Sequence, residues 1–267
     1  MSGITPLLGD VHVHVGHFDD GLYFSPSQVV GDMRALKVKR WIVSSTSTGN
    51  IPFPLVRKEI EDTLELSEGE ALPFLWVRPE MLMRSRDLGR YFFCGFRGLK
   101  VHGYQGWNPD GRALRRVFAI AAERGLPVML HTGGRPWCEA GVYRKICLEF
   151  GTVPTILAHG RPVEQTIEVM RDCPNVYADT AFMPVRDIVC LQKNGLLSRT
   201  LFGSDFPVMK LFFKTPVRRY YRRRVQAVSK AIGQNAFHKI AWKNINEMTV
   251  NGANISPGDL LADVYQN

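Results

Sequence analysis

The sequence contains no run of about 20 apolar residues, so nothing in it predicts a helix that crosses a bilayer. Its first residues, MSGITPLLGDVHVHVG, have neither the basic start nor the apolar stretch of a signal peptide. Cysteine is scarce: Cys94, Cys138, Cys147, Cys173 and Cys190 are odd in number and show no CxxC spacing. That pattern argues against a disulfide framework or a structural zinc finger and sets a cytoplasmic location as the expectation. Linkers, repeats and low-complexity tracts are also missing, which predicts one domain over residues 1–267. Acidic residues are the minority charge. The 34 Lys and Arg against 25 Asp and Glu give a net charge of +9, which attracts anions. The densest basic run, Arg218-Arg219-Tyr220-Tyr221-Arg222-Arg223-Arg224, reads first as a solvated helix face.

What is present is an alternation. Short apolar runs rich in β-branched residues fall at 7–15, 40–47, 72–79, 96–103, 126–133, 153–160, 175–181 and 200–207. Segments with helical spacing separate them, such as ALRRVFAIAAERG (113–125) and PVEQTIEVMRDC (162–173), the second opening on the proline that helix starts favour. Strands alternating with helices predict parallel βαβ units. Eight strands suit either a closed barrel or an open doubly wound sheet. No GxGxxG follows the first strand, which weakens the dinucleotide-binding version of the latter. The unusual polar residues sit at the C-terminal ends of the runs, where barrel active sites lie. The expected fold is therefore α/β, a single (β/α)8 TIM barrel.

His12 and His14 are two residues apart on the first strand and share a face, as does Asp10, while Val11, Val13 and Val15 should point to the helices. Alone, the pair is weak evidence for a metal. Three further runs strengthen it: His131 ends LPVMLHTG, His159 ends VPTILAHG and Asp205 ends TLFGSDFP. In a closed barrel the first and eighth strands adjoin, and the interior is only side-chain wide, so these groups can converge. Imidazole and carboxylate donors with an open position suit a catalytic divalent metal, zinc first, with manganese or iron also compatible. Asp205 is the candidate proton acceptor and His159 a candidate acid–base group.

HxH on the first strand, GLKVHG, LHTG, LAHG and LFGSDFP together resemble the amidohydrolase superfamily, in particular the amidohydrolase-related branch that holds hydrolases and decarboxylases. The resemblance runs from about residue 8 to about 249. It implies that His12, His14, His131 and Asp205 bind one metal ion, with His159 at a second metal or among the catalytic groups. By the same comparison Lys100 is a candidate catalytic residue, either an unmodified lysine that helps bind substrate or, as in binuclear relatives, a carbamylated lysine that bridges two metals, and His102 is a packing or supporting residue. Dimers or tetramers are common in that branch. Deoxyribonucleases of the TatD type share the barrel but carry glutamate where Lys100 stands, so nucleic acid is not the expected substrate.

Arg78, Arg135 and Arg161 each follow a strand end, and Lys210 follows the eighth. Such cations predict a small anionic, carboxylate-bearing substrate. Trp107 and Trp137, on neighbouring loops, are candidates to stack on it. The leading expectation is a hydrolase of a lactone, amide or ester. A non-oxidative decarboxylase is the nearest alternative, and a barrel that only binds its ligand the non-enzymatic one.

Overall fold

The computed structural model describes residues 8–18, 21–84, 88 and 95–251. Leu7, Cys94 and both ends of the expected domain lie outside them. Among the described residues nine strands form one sheet in the order β2-β1-β3-β4-β5-β6-β7-β8-β9: β1 (Leu8–His17), β2 (Tyr23–Phe24), β3 (Val38–Ser45), β4 (Ala71–Val77), β5 (Gly98–Val101), β6 (Val128–His131), β7 (Thr155–Ala158), β8 (Val176–Asp179) and β9 (Thr200–Leu201). All neighbours are parallel except β2, a two-residue strand that folds back on the end of β1. The eight expected strands are thus β1 and β3 to β9. The helices are α1 (Pro26–Ala35), α2 (Phe53–Ser67), α3 (Pro79–Arg84), α4 (Arg112–Arg124), α5 (Arg144–Glu149), α6 (Val163–Asp172), α7 (Val185–Lys193), α8 (Met209–Phe212), α9 (Val217–Ile232), α10 (Gln234–His238) and α11 (Asn244–Asn251).

The segment after β9 returns to β1. Val11 N–H donates to Phe202 O (2.9 Å), His14 N–H to Phe206 O (2.7 Å), and Phe206 N–H to His12 O (3.1 Å). These bonds close the curled sheet into a TIM barrel.

Side chains alternate across the wall as a period of two dictates. Leu99 and Val101 of β5 and Leu130 of β6 join the large outer core beneath the helices, whereas Lys100, Met129 and His131 face inward. At the N-terminal end the interior is apolar, filled by Ile42, Phe74, Met129, Ile156, Ala158 and Leu201 and plugged by Ile245 and Met248 of α11. Gly9 permits that plug: a Cβ there would stand 2.9 Å from the Ile245 side chain and 3.0 Å from Ala241 O. Val11 departs from the expected alternation. It joins the interior cluster, not the helix layer, because the β1–β3 register shifts between Asp10 and Val13. Val13 and Val15 pack outward as expected.

Local signals explain the helix starts. Ser25 caps α1 by accepting a bond from Gln28 N–H, with Pro26 in the first turn. Pro162 stands at the N-cap of α6. In α4, Leu114, Val117, Phe118 and Ala121 recur at helical spacing and are all fully buried.

Truncating Phe118, which packs against Phe150 at a ring distance of 5.5 Å, should cost about 3–5 kcal/mol as Phe118→Ala. The exposed Leu148→Ala should stay within about 0.5 kcal/mol in the same urea titration. Equal midpoints for the two variants would contradict this account of the core.

Candidate metal centre and active site

The C-terminal ends of the strands open into a cavity of about 1050 Å³. Its floor is made by His12 and His14 from β1, Lys100 from β5, His131 from the end of β6, His159 just past β7 and Asp205 past β9. Asp205 and His159 both adopt left-handed backbone (φ 59° and 71°), a conformation L side chains seldom take. Backbone held there is one way a fold aims a functional side chain off the strand direction. Gly203 makes the turn to Asp205 possible, since a Cβ at that position would lie 3.0 Å from the Cβ of His12 and 3.2 Å from that of Asp179.

The donor atoms are prepared for a cation. His14 Nδ1 lies 3.2 Å from Ser44 O, and as the donor there it leaves Nε2 unprotonated. His12 Nδ1 lies 2.8 Å from Asp179 Oδ2, which orients that ring the same way. Both Nε2 atoms face Asp205 Oδ1, at 3.4 Å from His12 and 3.0 Å from His14. His12, His14 and Asp205 therefore gather three ligand atoms within 4.8 Å. A second cluster, His12, His159 and Asp179, meets the same distance test. Asp179 is already saturated, however: Oδ2 accepts from His12, and Oδ1 accepts from His159 N–H (2.9 Å) and Ala181 N–H (2.8 Å). It orients ligands and holds the β7 turn, and the first cluster is the better cation site.

His131 is one contact further out. His159 Nδ1 donates to Ala181 O (3.1 Å), so its Nε2 is an acceptor, and His131 Nδ1 donates to it at 3.2 Å. His131 Nε2 is left as a buried lone pair with no partner among the described residues. A buried acceptor without a partner is costly unless something fills it, and a divalent ion would. The imidazoles, the carboxylate and this orphaned nitrogen fit such an ion.

Electrostatics favour the same ionisation pattern. Burial pushes the Asp205 carboxyl up, but the imidazoles of His12, His14 and His159 more than offset it and hold the group well below the usual carboxylate range. Burial lowers His14 and drives His131 well below an ordinary histidine, and it presses His159 to about 3. Lys100 is 1 % exposed, with Nζ 3.1 Å from His12 Nε2 and 3.2 Å from Met129 Sδ. Burial pushes its ammonium down to about 8, with Asp179 and Asp205 pulling the other way. His102 completes an aromatic stack along one wall, with ring centroids 4.0 Å from His131 and 5.3 Å from Trp76.

The structure separates the remaining expectations. Arg78 and Arg161 line the cavity, and Arg78 Nη2 donates to Asn50 Oδ1 at 3.1 Å. Arg135 does not line it; its guanidinium lies 5.9 Å from the ring of the exposed Trp137. Trp107 is 5 % exposed and belongs to the outer core, with no place in the cavity wall. Lys210 sits over the Phe24 ring at 5.7 Å, away from the floor. Sequence reasoning missed Asp179, although a carboxylate ending an apolar strand was the same signal that marked Asp205. It also missed the wall residues His17, Trp76, Tyr104 and Phe182.

A closed barrel with an imidazole and carboxylate cluster at the C-terminal mouth defines a metal-binding TIM-barrel enzyme. The sequence profile of the amidohydrolase family matches residues 70–248, two thirds of the chain, and the protein belongs to that family. The matched stretch contains Lys100, His131, His159, Asp179 and Asp205; His12 and His14 precede it. The structural relatives include hydrolases, decarboxylases and a hydratase. A probable 2-pyrone-4,6-dicarboxylic acid hydrolase from Acinetobacter baumannii, solved with citric acid bound, superposes with a TM-score of 0.65 at 10 % identity, covering 91 % of this chain and 99 % of its own. An amidohydrolase from Burkholderia multivorans with bound zinc gives 0.63 at 15 % identity, over 91 % and 99 %. A 2,6-dihydroxybenzoate decarboxylase complexed with its namesake acid gives 0.60 at 15 % identity, over 93 % and 99 %. At such identities the likeness establishes the fold. No curated protein sequence matches the chain.

Asp179→Asn keeps the side-chain volume but removes the charge that orients His12. Metal affinity, read by competition with a chromophoric chelator, should fall about 10- to 100-fold while the circular dichroism spectrum is retained. Unchanged affinity would remove Asp179 from the metal site.

Proposed function

We propose that the protein is a metal-dependent hydrolase that cleaves a lactone, amide or ester bond in a small carboxylate-bearing substrate. The observation that carries this reading is the position of Asp205, an ionised carboxylate facing the Nε2 atoms of both histidines of the HxH pair. We assign one ion, zinc by the mixed nitrogen and oxygen donors, to His12, His14, His131 and Asp205. When bound, it would supply Lewis acidity toward water and toward the scissile carbonyl.

The chain's own groups do the rest. Asp205, having a second carboxylate oxygen beyond the one shared by the imidazoles, accepts the proton of the attacking water. His159 is neutral at physiological pH, and its Nε2, an acceptor beside His131, can accept a hydrogen bond from the water. Lys100 sits between His12 and the cavity, where an ammonium attracts the substrate's negative charge and the neutral form relieves the ion of a competing cation. Arg78 and Arg161 line the upper wall with guanidinium groups suited to a carboxylate. The substrate is a small acid, not a nucleic acid.

A second reading rests on the stacked wall of Trp76, His102 and His131. A planar aromatic acid would lie against it with its carboxylate at the cation cluster, the arrangement a non-oxidative decarboxylase needs.

Incubation of the zinc-loaded protein with a panel of lactones and of aromatic or enoic acids separates the two. Hydrolysis consumes water and releases a proton without CO2, whereas release of CO2 as the sole turnover would replace the first reading with the second. Asp205→Asn should lose at least ~10²-fold in kcat with an unchanged melting temperature. A variant retaining wild-type turnover would exclude the base. Arg78→Gln should raise KM roughly tenfold for the acid and leave kcat near wild type. The same variant should leave KM unchanged for a methyl ester of the substrate's recognition carboxylate, and equal effects on both would remove Arg78 from carboxylate binding.

A further inference from the structure

The positive charge of this protein is confined. Residues 206–246 carry ten of the 34 Lys and Arg and none of the 25 Asp and Glu, so the rest of the chain is close to neutral. This segment begins directly after Asp205, contributes Val208, Leu211, Phe212 and Phe213 to the cavity rim, and continues into α9. The first two turns of α9, nearest the mouth, hold Arg218, Arg219, Arg222 and Arg223, all exposed. Arg218 pairs with Asp32; Lys214, Arg219, Arg222 and Arg223 make no ion pair among the described residues.

Exposed aromatic side chains are confined in the same way. Among the described residues the exposed aromatics are Tyr23, Tyr104, Trp137, Phe212 and Phe213. All five lie on segments that follow strand C-termini, at the mouth end of the barrel. Phe212, at 66 %, is the most exposed of them.

We propose that this end of the barrel docks on an anionic lipid surface, with the rim aromatics entering the headgroup layer and the basic segment lying against the phosphates. Aromatic rings beside Lys and Arg are the combination that a bilayer interface accepts, and polybasic segments bind its negative leaflet. No helix among the described residues is long and apolar enough to cross a bilayer, so the contact is peripheral.

Two other occupants fit less well. A single-stranded nucleic acid needs open ring faces for its bases. Phe213 instead stacks on Tyr220 at 4.8 Å, and Phe212 meets Phe182 edge-on at 5.6 Å, which leaves an apolar knob and no platform. A second copy of the chain, paired about a two-fold axis at this patch, would bring Arg against Arg. Docking here would also set the cavity against the membrane, so an amphiphilic acid could enter from the lipid. The docking itself is independent of the hydrolase assignment.

Vesicle co-sedimentation of the full chain tests it, with phosphatidylcholine alone and with about 30 % phosphatidylglycerol added, at about 0.15 M salt. The wild type should sediment with the anionic vesicles only. The triple variant Arg219→Gln, Arg222→Gln, Arg223→Gln should bind them roughly a hundredfold more weakly. The variant Phe212→Ser, Phe213→Ser should also lose binding, with an unchanged circular dichroism spectrum. Quenching of Trp fluorescence by brominated lipid, lost in Trp137→Phe, would place the rim in the headgroups. Absence of wild-type sedimentation would overturn the proposal. So would a phenylalanine variant that binds like the wild type, or tighter binding to single-stranded DNA than to the vesicles, either of which would define a polyanion patch without membrane insertion.

Discussion

The barrel seam is the constraint on which the site depends. His12 and His14 stand on the first strand and Asp205 follows the last, so the three donors become neighbours only when those strands meet. Backbone bonds join the two segments, and Asp10 adds a clasp. Its Oδ1 accepts from His12 N–H (2.9 Å) and from Ser204 N–H (3.0 Å), and its Oδ2 accepts from the Ser204 hydroxyl (2.6 Å). Ser204 Oγ in turn accepts from Phe206 N–H at 3.1 Å. Both residues flanking Asp205 are thereby tied to the strand that carries the histidines. Closing the barrel and aligning the ligand set are one event.

Burial is the second constraint on the floor. It raises carboxyls and lowers imidazoles and ammonium groups. Asp10, with hydrogen bonds but no cation in contact, is pushed up to about 6, while Asp205 among the imidazoles stays well below the usual range. Two carboxylates on one seam thus take different tasks, one structural and one at the cation site. Burial lowers His14, His131 and His159 toward the neutral form, in which an imidazole can ligate. Met129 separates the polar floor from the apolar plug beneath, touching Lys100 Nζ above while belonging to the interior cluster below.

Much of this arrangement is legible in the sequence because strand geometry is so regular. A period of two predicts which face His12, Lys100 and His131 share, and a parallel barrel predicts that strand ends meet at one mouth. The same regularity fails where the chain is irregular. Val11 turns inward at a register shift that no local pattern announces. The run at 200–207 is strand only over Thr200–Leu201, because the turn through Gly203 and Asp205 must aim a carboxylate into the barrel. Loop residues were the least readable. Arg78 and Arg161 reach the cavity while Arg135 and Trp107 do not, and their positions after strand ends were alike in sequence. Where a loop side chain goes depends on which helix it packs beneath, and that information is tertiary. Asp179 shows the opposite failure, a readable signal outweighed by a search for histidines.

The asymmetry of charge joins the seam to the surface. Asp205 is the last acidic residue before Glu247, so the strand that completes the floor opens directly into the basic segment that forms part of the rim. A negative ligand approaching this mouth meets the α9 cations at the surface, Arg78 and Arg161 together with Glu80 on the wall, and Lys100 at the floor. The low-dielectric aromatic rim concentrates that field, since exposed Phe and Tyr edges hold water away from the path more than polar side chains would. The acid-free stretch begins directly after Asp205, whose carboxylate faces the HxH pair, so no acidic side chain of that stretch weakens the pull on an anion.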